Sequence, residues 1–228
     1  MKAKTDVCFY THTQYFAVNN VYHNNLIKIL AIFSLLISIS ACVTAPSAPS
    51  DINSAEHQQK LLSLQNWRIE GRLAYKSPQE KKSASMNWRQ VAQKYQLNLS
   101  TSFGTSILEM KGEPNYVVLN ADDKHYQDTD PSRLIWRTTG WSIPLGHFPQ
   151  WIKGQTADTD KTLYSPEGLV QQIQSQCFAC KDWLINYDQY KLVNGLEIEA
   201  VWLPHKIILI NATTNSQIII RVNKWLNN

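Results

Sequence analysis

This 228-residue chain lacks the motifs that most often mark a catalytic site. It has no Gly-x-Ser-x-Gly elbow, no His-Glu-x-x-His, no phosphate-cradling Gly-Lys-Ser/Thr loop and no Gly-x-Gly-x-x-Gly. Its six histidines, at 12, 23, 57, 125, 147 and 205, show no ligand spacing with one another or with the cysteine pair. The run Asp122-Asp123-Lys124-His125-Tyr126-Gln127-Asp128-Thr129-Asp130 lacks the spacing and the glycine of a calcium loop. A hairpin turn at 122–124 and a helix cap at Asp130 account for the same residues, so neither metal nor cofactor is expected. Excess charge is missing as well. The net charge is +4, and setting aside residues 1–41, with Lys2, Lys4, Lys28 and Asp6, leaves +2. That near-balance argues against an electrostatic nucleic-acid binder. The apolar run at 29–39 is too short for a comfortable transmembrane helix.

What that run fits is the core of an export signal, with Lys28 before it. It ends in Ile39-Ser40-Ala41-Cys42. Small residues before a cysteine, directly after such a core, resemble a bacterial lipobox. The resemblance implies cleavage before Cys42 and lipid modification of Cys42. Residues 1–27 are unusually long and polar for the start of a signal, which raises the expectation of a true start nearer Leu26. Val43 follows the cysteine where an Asp would signal retention in the inner membrane, so export to the outer membrane is expected. Pro, Ser and Ala then dominate 43–50, which reads as a flexible tether. The expected organisation is a signal at 1–41, a lipidated tether at 42–53 and a folded domain at 54–228.

Hydrophobic residues make up 43% of the chain, with eight Trp and ten Tyr, enough for a β-rich domain with large apolar walls. Ser54 is expected to cap a helix over 55–64, with Leu61, Leu62 and Leu64 on its apolar side. Strand alternation follows. Trp67, Ile69, Gly71, Leu73 and Tyr75 alternate with polar residues, as do Ala84, Met86 and Trp88, then Leu97 and Leu99. Further strands are expected at 116–120, 169–176, 183–190, 196–202, 207–210 and 218–222. Asp130-Pro131 opens a short helix over 132–139 that Gly140 closes. A second apolar patch, 143–154, is kinked at Pro149. The chain thus reads as an antiparallel β-meander interrupted by a helical insert. A curved sheet capped but not filled by short helices leaves a concave apolar face that can hold acyl chains.

Two features stand apart. Phe103 lies in Thr101-Ser102-Phe103-Gly104-Thr105-Ser106, a bulky ring among small hydroxyl residues at a turn. Either it folds back onto its own domain or it is a hydrophobic probe for lipid or apolar cargo. Cys177-Phe178-Ala179-Cys180 sits between two strand-like runs with no helical pattern after it, so a hairpin turn with a small local disulfide is expected. Its closed loop is short, and its stabilising effect small.

The chain resembles the LolB family of outer-membrane lipoprotein receptors along nearly all of 54–228. The resemblance rests on His57-Gln58-Gln59, the segment 67–75 around Gly71-Arg72, and Trp88. It continues in Ile143-Pro144-Leu145 with Gln150-Trp151-Ile152-x-Gly154, in Leu203-Pro204 and in the closing 218–225 strand. It implies a mainly β fold, an unclosed antiparallel β-barrel with a short-helix lid over a hydrophobic cavity, shared with the periplasmic carrier LolA. It implies a monomer without enzymatic activity. Such a receptor takes lipoproteins from a LolA-like carrier by binding their acyl chains and places them in outer-membrane lipid. A bulky apolar residue at a hairpin tip delivers cargo in this family, often a Leu preceded by Pro; Phe103, preceded by Ser102, matches that position. Strand alternation offers Trp67, Leu73, Met86, Trp88, Leu97, Leu99 and Leu108 as cavity residues, and the insert offers Trp136, Ile143, Leu145, Phe148 and Trp151. The Cys177/Cys180 pair is no feature of the family. Two other readings compete: a periplasmic thiol oxidoreductase using Cys177 and Cys180, which needs the pair at a helix N-terminus, and a structural envelope lipoprotein, which needs a filled core.

Overall fold

The computed structural model describes residues 51–177, 180 and 182–228. The expected signal, Cys42 and most of the expected tether lie outside the described residues. Helix α1, Ser54–Ser63, begins one residue earlier than expected. Asn53 caps it, accepting from the backbone N–H of Ala55 and Glu56 at 3.1 and 3.2 Å. Ser54 Oγ instead donates to the Gly168 carbonyl at 2.8 Å. Both residue types suit a cap, and the tertiary contact at Gly168 decides between them. Ile52 N–H donates to Glu167 O at 3.0 Å, so the last residues of the expected tether are already docked. Leu61 and Leu64 are fully buried, whereas Leu62 is about half exposed.

Six strands follow: β1 (Asn66–Lys76), β2 (Lys81–Val91), β3 (Lys94–Ser100), β4 (Ser106–Glu113), β5 (Tyr116–Ala121) and β6 (Lys124–Asp128). Helix α2 (Pro131–Thr139), a 3₁₀ turn (Leu145–His147) and the single-turn helix α3 (Phe148–Trp151) form the insert. Five strands close the chain: β7 (Lys161–Tyr164), β8 (Val170–Gln174), β9 (Trp183–Val193), β10 (Val201–Asn211) and β11 (Ser216–Leu226). All eleven belong to one antiparallel sheet in the order β6-β5-β4-β3-β2-β1-β11-β10-β9-β8-β7. The first and last strands, β1 and β11, pair at its centre, and among the described residues no pairing joins the edges β6 and β7. The sheet is unclosed, as expected.

The short edge strands β6 and β7 were not legible as strands. Edge strands bury little, and Lys-His-Tyr-Gln-Asp and Lys-Thr-Leu-Tyr carry no clear alternation. The sequence also predicts two strands at 196–202 and 207–210, where the structure has the single β10. Pro204 is carried inside that strand. Backbone pairing of β10 to β11 begins only at Lys206, so on that side the N–H missing from Pro204 breaks no bond. The Pro204 carbonyl accepts from Trp225 Nε1 at 3.3 Å.

Burial alternates along β1, β2 and β3, and a sheet this wide with one apolar face curls over that face. Gly71 contributes to the bend. The β1–β11 register shifts between Glu70 and Gly71, and a Cβ at Gly71 would stand 2.1 Å from the Arg221 carbonyl oxygen. Only glycine fits this bulge without displacing β11. The concave face collects the aromatics: Trp67 lies 6.4 Å from Trp88 and 5.4 Å from Trp225.

Candidate functional site

Helix α2 is cut from the sequence as its caps foretell. Asp130 accepts from the N–H of Ser132 and Arg133 at 2.8 and 3.3 Å, Pro131 opens the first turn, and Gly140 ends it at φ 77°. Its two ends are fastened to the sheet. At the start, Asp128 of β6 holds Arg133, through Nε at 3.0 and 3.1 Å and through a further short Nη2 contact, and reaches Arg137 at 3.4 Å. The Arg133 guanidinium keeps the Asp128 carboxyl well below the usual carboxylate range, aided by the Asp130 and Thr129 N–H groups. Just past the end, the Trp141 ring stacks on Tyr75 at 4.6 Å and its Nε1–H donates to Glu80.

Between α2 and the sheet lies a cavity of about 320 Å³. Leu73, Ala84, Leu99 and Leu108 form its apolar floor, and Thr138, Thr139 and Trp141 its lid side. Of the twelve residues expected to line a cavity, only Leu73, Leu99 and Leu108 border this space. Trp67, Met86, Trp88, Leu97, Ile143, Leu145, Phe148 and Trp151 are buried against one another in the core. Phe148 plugs the concave face, with its ring 6.1 Å from Trp88 and 6.4 Å from Trp151. Trp136 does not face the cavity. Leu134 and Ile135 set the buried side of α2, and the next position turns Trp136 outward, 59% exposed. Sequence reading missed Ile107, Ala121 and Tyr126 of the lining. Tyr126 belongs to the unrecognised β6, and Ile107 neighbours Leu108, where strict alternation would place the two on opposite faces.

Phe103 stands at the tip of the β3–β4 hairpin, 96% exposed. It does not fold back onto the domain. The loop behind it is tied: Thr101 N–H donates to Thr105 O at 2.9 Å, Gly104 N–H to Thr101 O at 3.0 Å, and Thr105 N–H to Thr101 Oγ1 at 3.2 Å. Gly104 takes φ 86°, which a side chain would resist. Among the described residues no helix is long and apolar enough to cross a membrane.

A family model described as outer membrane lipoprotein LolB matches residues 65–225. The chain belongs to the LolB family. It is 32% identical over 203 residues to the outer-membrane lipoprotein LolB of Tolumonas auensis, covering 88% of this chain and 97% of the relative. It is 30% identical over 202 residues to that of Aeromonas hydrophila, covering 86% and 96%. Among solved structures, a DUF1329 family protein from Desulfovibrio piger overlays with a TM-score of 0.50 at 7% identity, covering 77% of this chain and 91% of that one, a likeness of fold alone.

Contacts around the segments that carry the LolB resemblance fasten α1 to β10 and to the end of the insert. His57 Nε2 lies 2.9 Å from the Trp202 carbonyl. Gln58 bridges, donating to Gly154 O at 3.0 Å and accepting from Thr156 N–H at 3.0 Å. Lys153, just after α3, is buried and donates through Nζ to the Leu61 and Leu64 carbonyls at 2.6 and 2.8 Å, closing the C-terminus of α1. Burial lowers the Lys153 ammonium to about 8, with Glu197 opposing.

The cysteine pair is joined in a disulfide in the turn between β8 and β9, with Cα atoms 5.2 Å apart. Strand β9 follows it, and no helix of the described residues starts there, so the helix N-terminus that would activate a thiol is missing. In this LolB-family chain the pair meets the insert, with His147 Nε2 3.4 Å from Cys177 Sγ. Burial lowers the His147 imidazole below its usual value, and Asp160 pulls the other way.

Proposed function

We propose that this protein is an outer-membrane-anchored receptor that accepts lipoproteins from a LolA-type periplasmic carrier, holds their acyl chains in its concave face and releases them into the outer membrane. The observation that carries the reading, beside membership of the LolB family, is a part-open cavity with an apolar floor and a polar rim that includes Glu80, Lys82 and Asp122, between an unclosed sheet and a helical insert. A structural scaffold would have the space beside α2 filled as well. The cavity is at the lower end of the roughly 300–1,000 Å³ of sites for small ligands, so several acyl chains need the insert to move away from the sheet. Transfer then requires no bond to be made or broken. Each buried CH₂ is worth roughly 0.8 kcal/mol, so small differences in fit between carrier, receptor and bilayer set the direction.

Within this reading, cleavage and lipidation at Cys42 anchor the chain, the residues after it form the tether, and the receptor acts as a monomer. Phe103 is the group that enters lipid at delivery, held out by the Thr101-tied loop. The test is a two-step transfer, from loaded carrier to receptor and from receptor to liposomes, comparing the native protein with Phe103→Glu. The variant is expected to accept cargo at the native level and to lose most of the delivery step. Native delivery by the variant would remove Phe103 from the membrane step, and failure of the native protein to accept cargo would overturn the receptor reading.

A further inference from the structure

We propose that Cys177, Cys180 and His147 form, when both cysteines are thiols, a binding site for a divalent cation of the zinc class. One ligand atom from each lies within 4.8 Å of the others. Zinc holds thiolate sulfur at about 2.3 Å and imidazole nitrogen at about 2.0–2.1 Å, which at a tetrahedral angle places the two ligand atoms roughly 3.5 Å apart. The Cys177 Sγ to His147 Nε2 separation is 3.4 Å. The insert therefore already sits where an ion between the two would hold it. The C-x-x-C spacing supplies two thiolates to one ion in many zinc sites. The His147 ring is oriented by stacking on Trp151 at 5.4 Å. Ser175 Oγ, buried and 3.2 Å from Cys180 Sγ, is the oxygen beside that sulfur.

The chain is synthesised with both thiols, so no reductant is needed to reach the site. Binding releases one proton from each thiol, and the ion takes two thiolates and one neutral imidazole. Oxidation by a disulfide-bearing exchange partner passes two electrons and two protons to that partner, which leaves as a dithiol. It creates the Cys177–Cys180 bond and withdraws two of the three ligands. Cation and disulfide thus exclude each other. His147 closes the 3₁₀ turn directly before α3, whose Phe148 and Trp151 plug the concave face. An occupied site would fasten that corner of the insert to the β8–β9 turn, and the disulfide would leave it with a contact alone.

The test uses the whole chain with Cys8→Ser and Cys42→Ser, which removes the other two thiols, reduced with a phosphine under argon and titrated with Co²⁺. A thiolate-to-cobalt charge-transfer band is expected to saturate at one ion per chain and to vanish on addition of equimolar Zn²⁺. Cys177→Ser should abolish the band. His147→Ala and the more conservative His147→Asn should each weaken binding at least tenfold with unchanged far-ultraviolet circular dichroism. In the reduced protein Zn²⁺ should slow amide exchange at 145–151, and the His147 variants should lose that protection. Absence of the band, or affinity and protection unaltered in both His147 variants, overturns the site. Neither outcome bears on cargo transfer, which the oxidised protein reports separately.

Discussion

The phenyl ring of Phe103 stands 96% exposed at a tied hairpin tip; the residues alone left fold-back and exposure both open, and the family resemblance pointed to the exposed one. Trp136 misled: a large aromatic in an apolar insert suggests burial, but one step of helical phase puts it outside. Lys153 gave no sequence signal. Its importance lies in reaching two carbonyls at the end of α1, and a lysine beside an apolar patch reads as surface. Its ammonium is lowered to about 8, against about 10.4 in an unfolded chain. Below pH 8 both states carry the proton and the burial penalty is constant. Between pH 8 and 10 the unfolded chain binds more protons than the native one, so this group adds stability as pH rises, by up to about 1.4 kcal/mol per pH unit. Denaturant melts of the native protein and Lys153→Met across that window should show the native curve rising relative to the variant. Parallel curves would mean that Lys153 titrates normally.

Helix α2 is held by one buried face and by restraints at its two ends. Its own length is short for independent stability, and its caps only define where it starts and stops. Leu134 and Ile135 bury one face of it in the core, and its ends are fixed by Asp128 on Arg133 and Arg137 at one side and Trp141 on Tyr75 at the other. The Asp128 carboxyl is held low, so the restraint remains charged well into acid. Replacing Asp128 with Ala frees two guanidinium groups and leaves α2 hinged at Trp141. Amide exchange across 131–139 should quicken by an order of magnitude or more while that of β1 and β11 stays unchanged. Uniform loss of protection would show instead that α2 and the sheet unfold as one unit. The caps of α2 were legible from Asp130-Pro131 and Gly140, since those residues act locally. The strand that holds it, β6, was not, because an edge strand leaves little hydrophobic pattern.

Across the whole molecule, the proposed function assigns acceptance and delivery to different places, the cavity floor and the β3–β4 tip. Ala84 sits on the floor, 8% exposed, where its small side chain leaves space against Leu73 and Leu99. Ala84→Phe should fill much of that space and cut carrier-to-receptor transfer several-fold, while cargo already accepted is delivered at the native rate. That is the reverse of the pattern expected for Phe103→Glu. If the Ala84 variant accepts cargo normally, acyl chains enter elsewhere on the concave face, beneath Phe148.

The sequence by itself determined the strands with strong alternation, the caps of α2, the tight turn that presents Phe103 and the hairpin place of the cysteine pair. Each is set by residues near one another in the chain, through backbone preference and the two-residue period of a half-buried strand. Tertiary structure alone decided which apolar residues line a cavity and which plug it. Leu99 and Trp88 look equivalent until Phe148 comes down on one of them. It also decided that Pro204 is carried inside a continuous strand, that Asn53 rather than Ser54 caps α1, and that His147 meets Cys177 across thirty residues of chain. These outcomes follow from the curl of one wide sheet, which brings distant segments into contact over a shared apolar face.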